Sequence, residues 1–465
     1  MDTAPPCYCR VTALATGLND GTHTALTSRA YRIRSQFPII AYQFNPLDNV
    51  GVFSNDASLL VPTSAVSSEY TIVGWPQTIA DGDCDPAAPA CANIDFDPST
   101  DDEDLRAFLT IVGTQPGTTV ELVLGPESRN YVPLPGAPQL FPGQSIFVSL
   151  EPFDVFNLES DGLNADFTGT RVLSTSPVSV FVGGEASDAP RFNDYTTRQC
   201  CADHLEEQLF GDETHGSIFN IARMPRRSTA LNDAFLDPAV DSVAEVNEPE
   251  WVRVVATAPG QTYVRTSRPP PHDLFVLDQY EDVIITADQD FRMWTTEGQP
   301  LAVLQALPSQ QAVGIPSEYP GGDPAIIAIS PIQQYRRDYV FLTPGLYSFD
   351  FIIVTADRLS EIQLDGELIY SGEAGVVDAL RCTESAADGI ARMPGDLPPA
   401  QVVIRCQLSF PDVQGLPDVR VDPGLQNDGV HRILATEPVG LVVYGFDAYV
   451  SYGYAGGLNL EPLVH

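Results

Sequence analysis

The chain has 465 residues and carries 62 Asp and Glu against 24 basic residues, a formal net charge of −38. That balance excludes a nucleic-acid-binding face, which needs clustered basic side chains, and it disfavours docking on an anionic membrane surface. With 43% hydrophobic residues, 40 Pro and 35 Gly, the composition is that of a folded protein of many strands and turns, not of an acidic disordered tail. No apolar run approaches the ~20 residues that span a bilayer, and residues 37–42 are typical of the longest. Every basic residue is Arg, which a GC-rich genome explains simply and adaptation to salt more specifically.

In chain order, residues 1–62 read as a half-unit. They contain Cys7 and Cys9, a stretch from Arg32 to Pro38 that leads into alternating apolar residues, and Asn55-Asp-Ala-Ser-Leu-Leu-Val-Pro62. Strands are expected next at 70–75, 108–114, 119–124, 145–150, 170–174 and 178–182, with a long loop at 77–104. The run Phe108 to Gly117 ends in Thr-x-Pro-Gly, and the same ending recurs from Trp251 to Gly260, with a degenerate copy at 351–357. The Pro-Gly pair predicts a hairpin turn. The spacing of Arg and Pro seen at 32 and 38 recurs at Arg171 and Pro177 and at Arg432 and Pro438, and more loosely at Arg292 and Pro300. A proline fits the first residue of a strand, where no ladder N–H is needed. Ser217 to Pro225 and Asp338 to Pro344 repeat the short strand at 69–76, so Pro76, Pro225 and Pro344 mark a cycle of roughly 120–150 residues, the size of a domain. We therefore expect an all-β fold of tandem β-sandwich units at 63–213, 214–331 and 332–465. Helical periodicity is confined to 101–109 and 202–209, and 226–249 and 371–400 read as surface loops.

The stretches Tyr31 to Pro46, Ser54 to Pro62, Cys201 to Leu209, Gly322-Asp323-Pro324 with Gln334-Tyr335-Arg336, and Ser451 to Gly457 together resemble the N-terminal domain family of IgG Fc-binding protein, in its bacterial surface-protein branch. The resemblance covers residues 31–460. It implies an extracellular or cell-surface protein with no catalytic residues to carry over, and the family name promises binding to antibody Fc. Two departures stand out. Where the family has a double proline and then Trp-Gly, this chain has Phe210-Gly211 and His215-Gly216. Family members also carry a longer N-terminal part with an export signal, so the half-unit is expected to be the end of a truncated first repeat.

Nine carboxylates fall within residues 81–104. Asp81, Asp83, Asp85, Asp95, Asp97 and Asp101 are the candidate calcium ligands, since Ca²⁺ takes six to eight oxygens on a flexible loop. A solvated acidic loop is the alternative, and no other cofactor is expected. The eight cysteines sit in local clusters, which favours disulfides and an oxidising compartment. Cys84 with Cys91 and Cys382 with Cys406 are the expected bridges, and Cys7 and Cys9 are expected to pair with Cys200 and Cys201. Zinc at the Cys200 to Glu207 segment is the weaker reading there, because the two-His zincin spacing is absent. The loops at 183–216 and 306–337 are the candidate binding ends, with Asp203, His204, Glu207, Gln208 and Asp323 as the residues of interest. Each of these is also explained by a structural role. The tyrosines at 444, 449, 452 and 454 form either a binding platform or, in the favoured reading, packing between sheets. No Gly-x-Ser-x-Gly elbow or phosphate loop is present. The sequence therefore reads as a non-enzymatic extracellular binding or adhesion protein for an unknown protein or glycan. A structural matrix component is the alternative, and a polysaccharide-active enzyme is the more distant one.

Overall fold

The computed structural model describes residues 23–45, 54–80, 104–193, 197–199, 201–393 and 395–463. Its first strands are β1 (Ala25–Thr27), β2 (Ala41–Phe44) and β3 (Ala57–Leu60). They are followed by β4 (Glu69–Thr71), β5 (Ala107–Gly113), β6 (Thr118–Val123), β7 (Tyr131–Val132), β8 (Ser145–Leu150), β9 (Val155–Ser160), β10 (Arg171–Ser174), β11 (Val178–Ser187) and β12 (Asp203–Gln208). One sheet runs β1-β9-β5-β11-β12 with β7 on β9, and the other runs β4-β10-β6-β8. Alternate residues of both sheets, among them Leu109, Ile111, Val120, Leu122, Phe156 and Val180, share one buried core, as expected of a sandwich.

The next two sheets use β13 (Ile218–Ile221), β14 (Glu250–Ala256), β15 (Gln261–Thr266), β16 (Leu274–Asp278), β17 (Asp282–Ala287), β18 (Phe291–Thr295), β19 (Leu301–Ala306) and β20 (Ile326–Ala328). Their orders are β13-β18-β15-β16 and β17-β14-β19-β20. The last part holds β21 (Arg336–Thr343), β22 (Phe349–Asp357), β23 (Glu361–Leu364), β24 (Glu367–Ser371), β25 (Gly375–Val376), β26 (Cys382–Ala386), β27 (Gln401–Gln407), β28 (Phe410–Gln414), β29 (Arg420–Leu425), β30 (Gly429–Asp447) and β31 (Val450–Ala455). Here one strand serves both layers. The first half of β30 pairs with β21 and β23, and the second half pairs with β22 and β31.

The connectivity repeats. A central strand (β5, β14 or β22) is followed across a short turn by a strand of the opposite layer (β6, β15 or β23). The Thr-x-Pro-Gly turns therefore do not close hairpins, as the sequence suggested. They carry the chain from one sheet to the other, with Gly117 at φ 64° and Gly260 at φ 82°, a backbone that glycine adopts without steric cost. The reason lies in the partners: β5 already has β9 and β11 on its two edges, so β6 has no free edge of that sheet to join. The Arg-to-Pro segments make the return crossing, from β10 to β11, from β18 to β19, and without interruption inside β30.

Two further expectations are corrected. Asp203–Gln208 form β12 and Ala107–Gly113 form β5, so no helix forms over the described residues of 202–209 and 101–109. Among the described residues one α-helix forms, α1 (Arg227–Ala234), inside the stretch read as a surface loop, and its Leu231 is fully buried. No helix among the described residues is long and apolar enough to cross a membrane.

Candidate functional site

Each sheet pair ends with a short closing strand: β12 after β11, β20 after β19, and β31 after β30. β3 stands in the same relation to β2. The four closing strands pack as a ring, β3 on β12, β12 on β20, β20 on β31 and β31 on β3. The separate sequence stretches that carry the family resemblance thus come together at one place.

The contact between β3 and β12 is made by side chains. His204 N donates to Ser54 Oγ (2.7 Å), Glu206 N to Asp56 Oδ2 (3.1 Å) and Gln208 N to Ser58 Oγ (2.8 Å). In return Asn55 N donates to Asp203 Oδ1 (2.7 Å) and Val61 N to Gln208 Oε1 (2.9 Å). Residues two apart on a strand point the same way, so Ser54, Asp56 and Ser58 satisfy every second N–H of the outer edge of β12. Asp56 Oδ2 also accepts from Ile326 N of β20 (3.3 Å), and Asp323 N donates to Ser451 Oγ of β31 (3.1 Å). At Gly322, with φ +65°, a Cβ would lie 2.6 Å from that same Ser451 oxygen, so the Gly-Asp-Pro turn is fixed by packing.

The ring is acidic and buried. Asp56, Asp203 and Glu207 are 0% exposed and Asp323 is 1% exposed. Burial pushes all four carboxyls well above the usual range, with repulsion from Asp323 adding to it at Asp203 and the Arg227 charge working against it at Asp323. Asp203 Oδ2, Asp323 Oδ1 and the Tyr347 hydroxyl are buried with no hydrogen-bond partner among the described residues. Groups of this kind hold protons more readily than a solvated carboxylate does.

The residues singled out from sequence are therefore brought together, but inside the protein. Asp203, Glu207, Gln208 and Asp323 are not on exposed binding loops, because β12 and the turn before β20 are covered by their ring neighbours. His204 reaches the rim. It stacks on Phe108 with centroids 6.2 Å apart, and its Nε2 lies 3.1 Å from Asn45 Nδ2. The loops at 183–216 and 306–337 meet each other as well: Ser309 N donates to Ala189 O (2.8 Å) and Ala189 N to Ser309 Oγ (3.0 Å). Tyr444, Tyr452 and Tyr454 are buried between sheets, the favoured reading of that cluster. Cys382 and Cys406 are bridged across β26 and β27, and Cys201 is disulfide-bonded. Cys7, Cys9, Cys84, Cys91, Cys200 and the carboxylates Asp81, Asp83, Asp85, Asp95, Asp97 and Asp101 lie outside the described residues.

Two arginines of structural weight were not singled out from sequence. Arg253 of β14 is buried against the first sheet pair, donating to Gly74 O (3.0 Å), ion-paired with Asp166, and bonded to Asp282 of its own sheet (2.8 Å). Arg227, at the start of α1, donates Nε to Tyr444 Oη (2.7 Å), Nη1 to Pro308 O and Gly321 O (2.8 and 3.0 Å) and Nη2 to Asp323 O (2.9 Å). A charge inside the apolar run 251–256 was a usable signal for Arg253. Nothing local marks Arg227.

Two small clefts, of ≈ 380 Å³ and ≈ 360 Å³ with open solvent included, are lined by no carboxylate. Strongly exposed apolar side chains lie elsewhere, Tyr31 and Phe37 among them. Leu380, Leu397 and Met393 are 94%, 86% and 74% exposed on the excursion between β25 and β27. Within that excursion β26 is joined to β27 by the Cys382–Cys406 bridge at the end nearer Leu380, and the stretch after β26 is held at the other end by Arg392 on both oxygens of Asp388 and by Ser267 Oγ donating to Asp388 O (2.7 Å).

These features define an all-β protein of stacked sheet pairs fused through buried polar contacts, with exposed apolar side chains on the excursion between β25 and β27 as well as at Tyr31, Ile33 and Phe37. The chain belongs to the IgGFc binding protein family, which it matches over residues 56–445, and that family is one of binding proteins. No curated protein and no solved structure matches it.

Proposed function

We propose that the chain acts outside the cell as a non-enzymatic binding or adhesion protein that takes a protein partner on the braced loop at 376–397. The observation that carries this reading is the set of nearly bare apolar side chains at Leu380, Met393 and Leu397 on a segment anchored by a disulfide. Strongly exposed large apolar side chains are candidate contact points for a partner, and a braced segment loses little conformational freedom on binding. Membership in the family supports a protein ligand, with antibody Fc as the first probe, and the disulfide fits an oxidising compartment. The units 63–213, 214–331 and 332–465 are the domains of this reading. The net charge of −38 favours a partner with a basic or neutral contact face.

The test is surface plasmon resonance of the full chain against Fc fragments, a panel of basic extracellular proteins and a glycan array. Replacing Leu380, Met393 and Leu397 together by Ser should weaken binding to the protein ligand at least tenfold while leaving the melting temperature unchanged. Unaltered binding by that variant, or a response only to glycans, would sink the proposal. Silence across the whole panel would favour a structural matrix component without a discrete ligand.

A further inference from the structure

We propose that His23, Glu159 and Glu185 form a binding site for a first-row divalent metal ion, zinc being the best fit, at the edge of the first sheet pair. The three residues come from separate parts of the chain: His23 precedes β1, Glu159 is in β9 and Glu185 in β11. Their ligand atoms all lie within 4.8 Å of one another. His23 Nδ1 is 3.2 Å from Glu159 Oε1 and 3.3 Å from Glu185 Oε1. Zinc binds imidazole nitrogen and carboxylate oxygen at about 2.0–2.2 Å, so two ligands of a tetrahedral site stand about 3.3–3.5 Å apart. The observed separations are close to that edge length before any ion is added.

The second observation is how the two carboxylates are held. Each uses its other oxygen to accept a backbone N–H: Glu159 Oε2 from His23 N (2.7 Å) and Glu185 Oε2 from Arg106 N (2.8 Å). Asn157 Nδ2 makes a longer bond to Glu159 Oε1 (3.4 Å) and also donates to His23 O (3.2 Å). Outer contacts of this kind orient ligands toward a metal. They leave both Oε1 atoms converging on the imidazole, although the Glu159 side chain is only 3% exposed.

Charge points the same way. Two carboxylates meet here, and the nearby guanidinium of Arg106 is engaged by Asp104 and Asp161. The nitrogen ligand and the set of three favour zinc over calcium, which takes six to eight oxygens. His23 is half exposed, so water can complete the coordination. The ion would fasten the segment leading into β1 onto β9 and β11.

The experiment uses the untagged full chain, stripped with EDTA and desalted, and titrated with ZnCl₂ by calorimetry at pH 7.5. Equal concentrations of CaCl₂ serve as the comparison. The wild type should bind one more equivalent of zinc than either His23→Gln or Glu185→Gln, and CaCl₂ should not displace it. Both variants change accessible side chains and should match the wild-type melting temperature in EDTA. Zinc should raise the melting temperature of the wild type above that of both variants. Equal zinc stoichiometry in all three proteins, or none in the wild type, overturns the site and leaves His23 as a plain ion-pair partner.

Discussion

The two junctions between sheet pairs are each centred on a buried arginine, and they balance its charge in opposite ways. At the first, Arg253 meets two carboxylates, Asp166 from the neighbouring pair and Asp282 from its own. Burial works against its charge, and the two carboxylates more than offset that. At the second, the Arg227 guanidinium meets one phenol and three carbonyls, and its own backbone N–H is taken by Glu248 Oε2 (2.7 Å). The Tyr444 hydroxyl, pushed up to about 12 by burial against the lowering effect of Arg227, stays a neutral acceptor. The first junction depends on charge and the second on the planar fork of donors, which only Arg presents. A buried cation can thus be accommodated by ion pairing or by pre-oriented dipoles, and the two solutions should fail differently.

The largest effect expected is at Arg253. Arg253→Met strands Asp166 as a buried unpaired charge and should cost about 4 kcal/mol in chemical denaturation. Adding Asp166→Asn should restore much of that loss. A double variant as weak as the single one would show that packing, not charge, holds this junction. A conservative exchange reverses the ranking. Arg227→Lys cannot reach four acceptors and should cost about 2–3 kcal/mol by leaving buried carbonyls unpaired, whereas Arg253→Lys keeps its charge beside Asp166 and should cost less. Equal losses at the two positions would erase the distinction drawn here.

Protonation sharpens the same contrast. Burial raises Glu250 to about 7, against the lowering effect of Arg223, and Asp350 to about 8, against hydrogen bonds from Tyr452 and Ser409. Both groups bind protons more tightly in the folded state. Their contribution to stability is therefore complete below the unfolded values near 4 and drains as pH rises through about 7 and 8. Asp350→Asn should flatten the fall in denaturation midpoint between pH 5 and 9, and an unchanged pH profile would place the proton elsewhere. The smallest effect is at the ring: Ser58→Ala removes one acceptor from the edge of β12 and should cost about 1 kcal/mol.

The strands and their recurring order were legible because apolar alternation and Pro-Gly punctuation are local signals. β5, with every second residue buried, is the clearest case. Destination was not legible. A turn signal at Pro116-Gly117 marks where the chain reverses, but the sheet that the next strand joins depends on which edges are already taken. β12 was misread because Leu205, Glu206, Glu207 and Gln208 favour helix intrinsically, and the acceptors Ser54, Asp56 and Ser58 that hold it extended lie about 150 residues away. The short α1 has no side-chain bond at its N-cap, so the usual starting signal is missing. The candidate residues around 203–208 and 323 meet inside the ring, and their burial, which decides between structure and binding, was not readable from the sequence. The trio of His23, Glu159 and Glu185 is scattered over three strands' surroundings and has no spacing to recognise.

The ring of closing strands also has a mechanical meaning. Because β3 packs on β31, the earliest and latest of the four closing strands are neighbours, and the polypeptide between them is a loop fastened at its base. Tension applied at its two ends is met first by that fastening, through the side-chain ladder on β12 and the aromatic contacts of Tyr42 with Tyr454 and of Phe44 with Tyr452. On a surface exposed to flow, such a molecule would behave as a latched coil: stiff at low force, then lengthening abruptly.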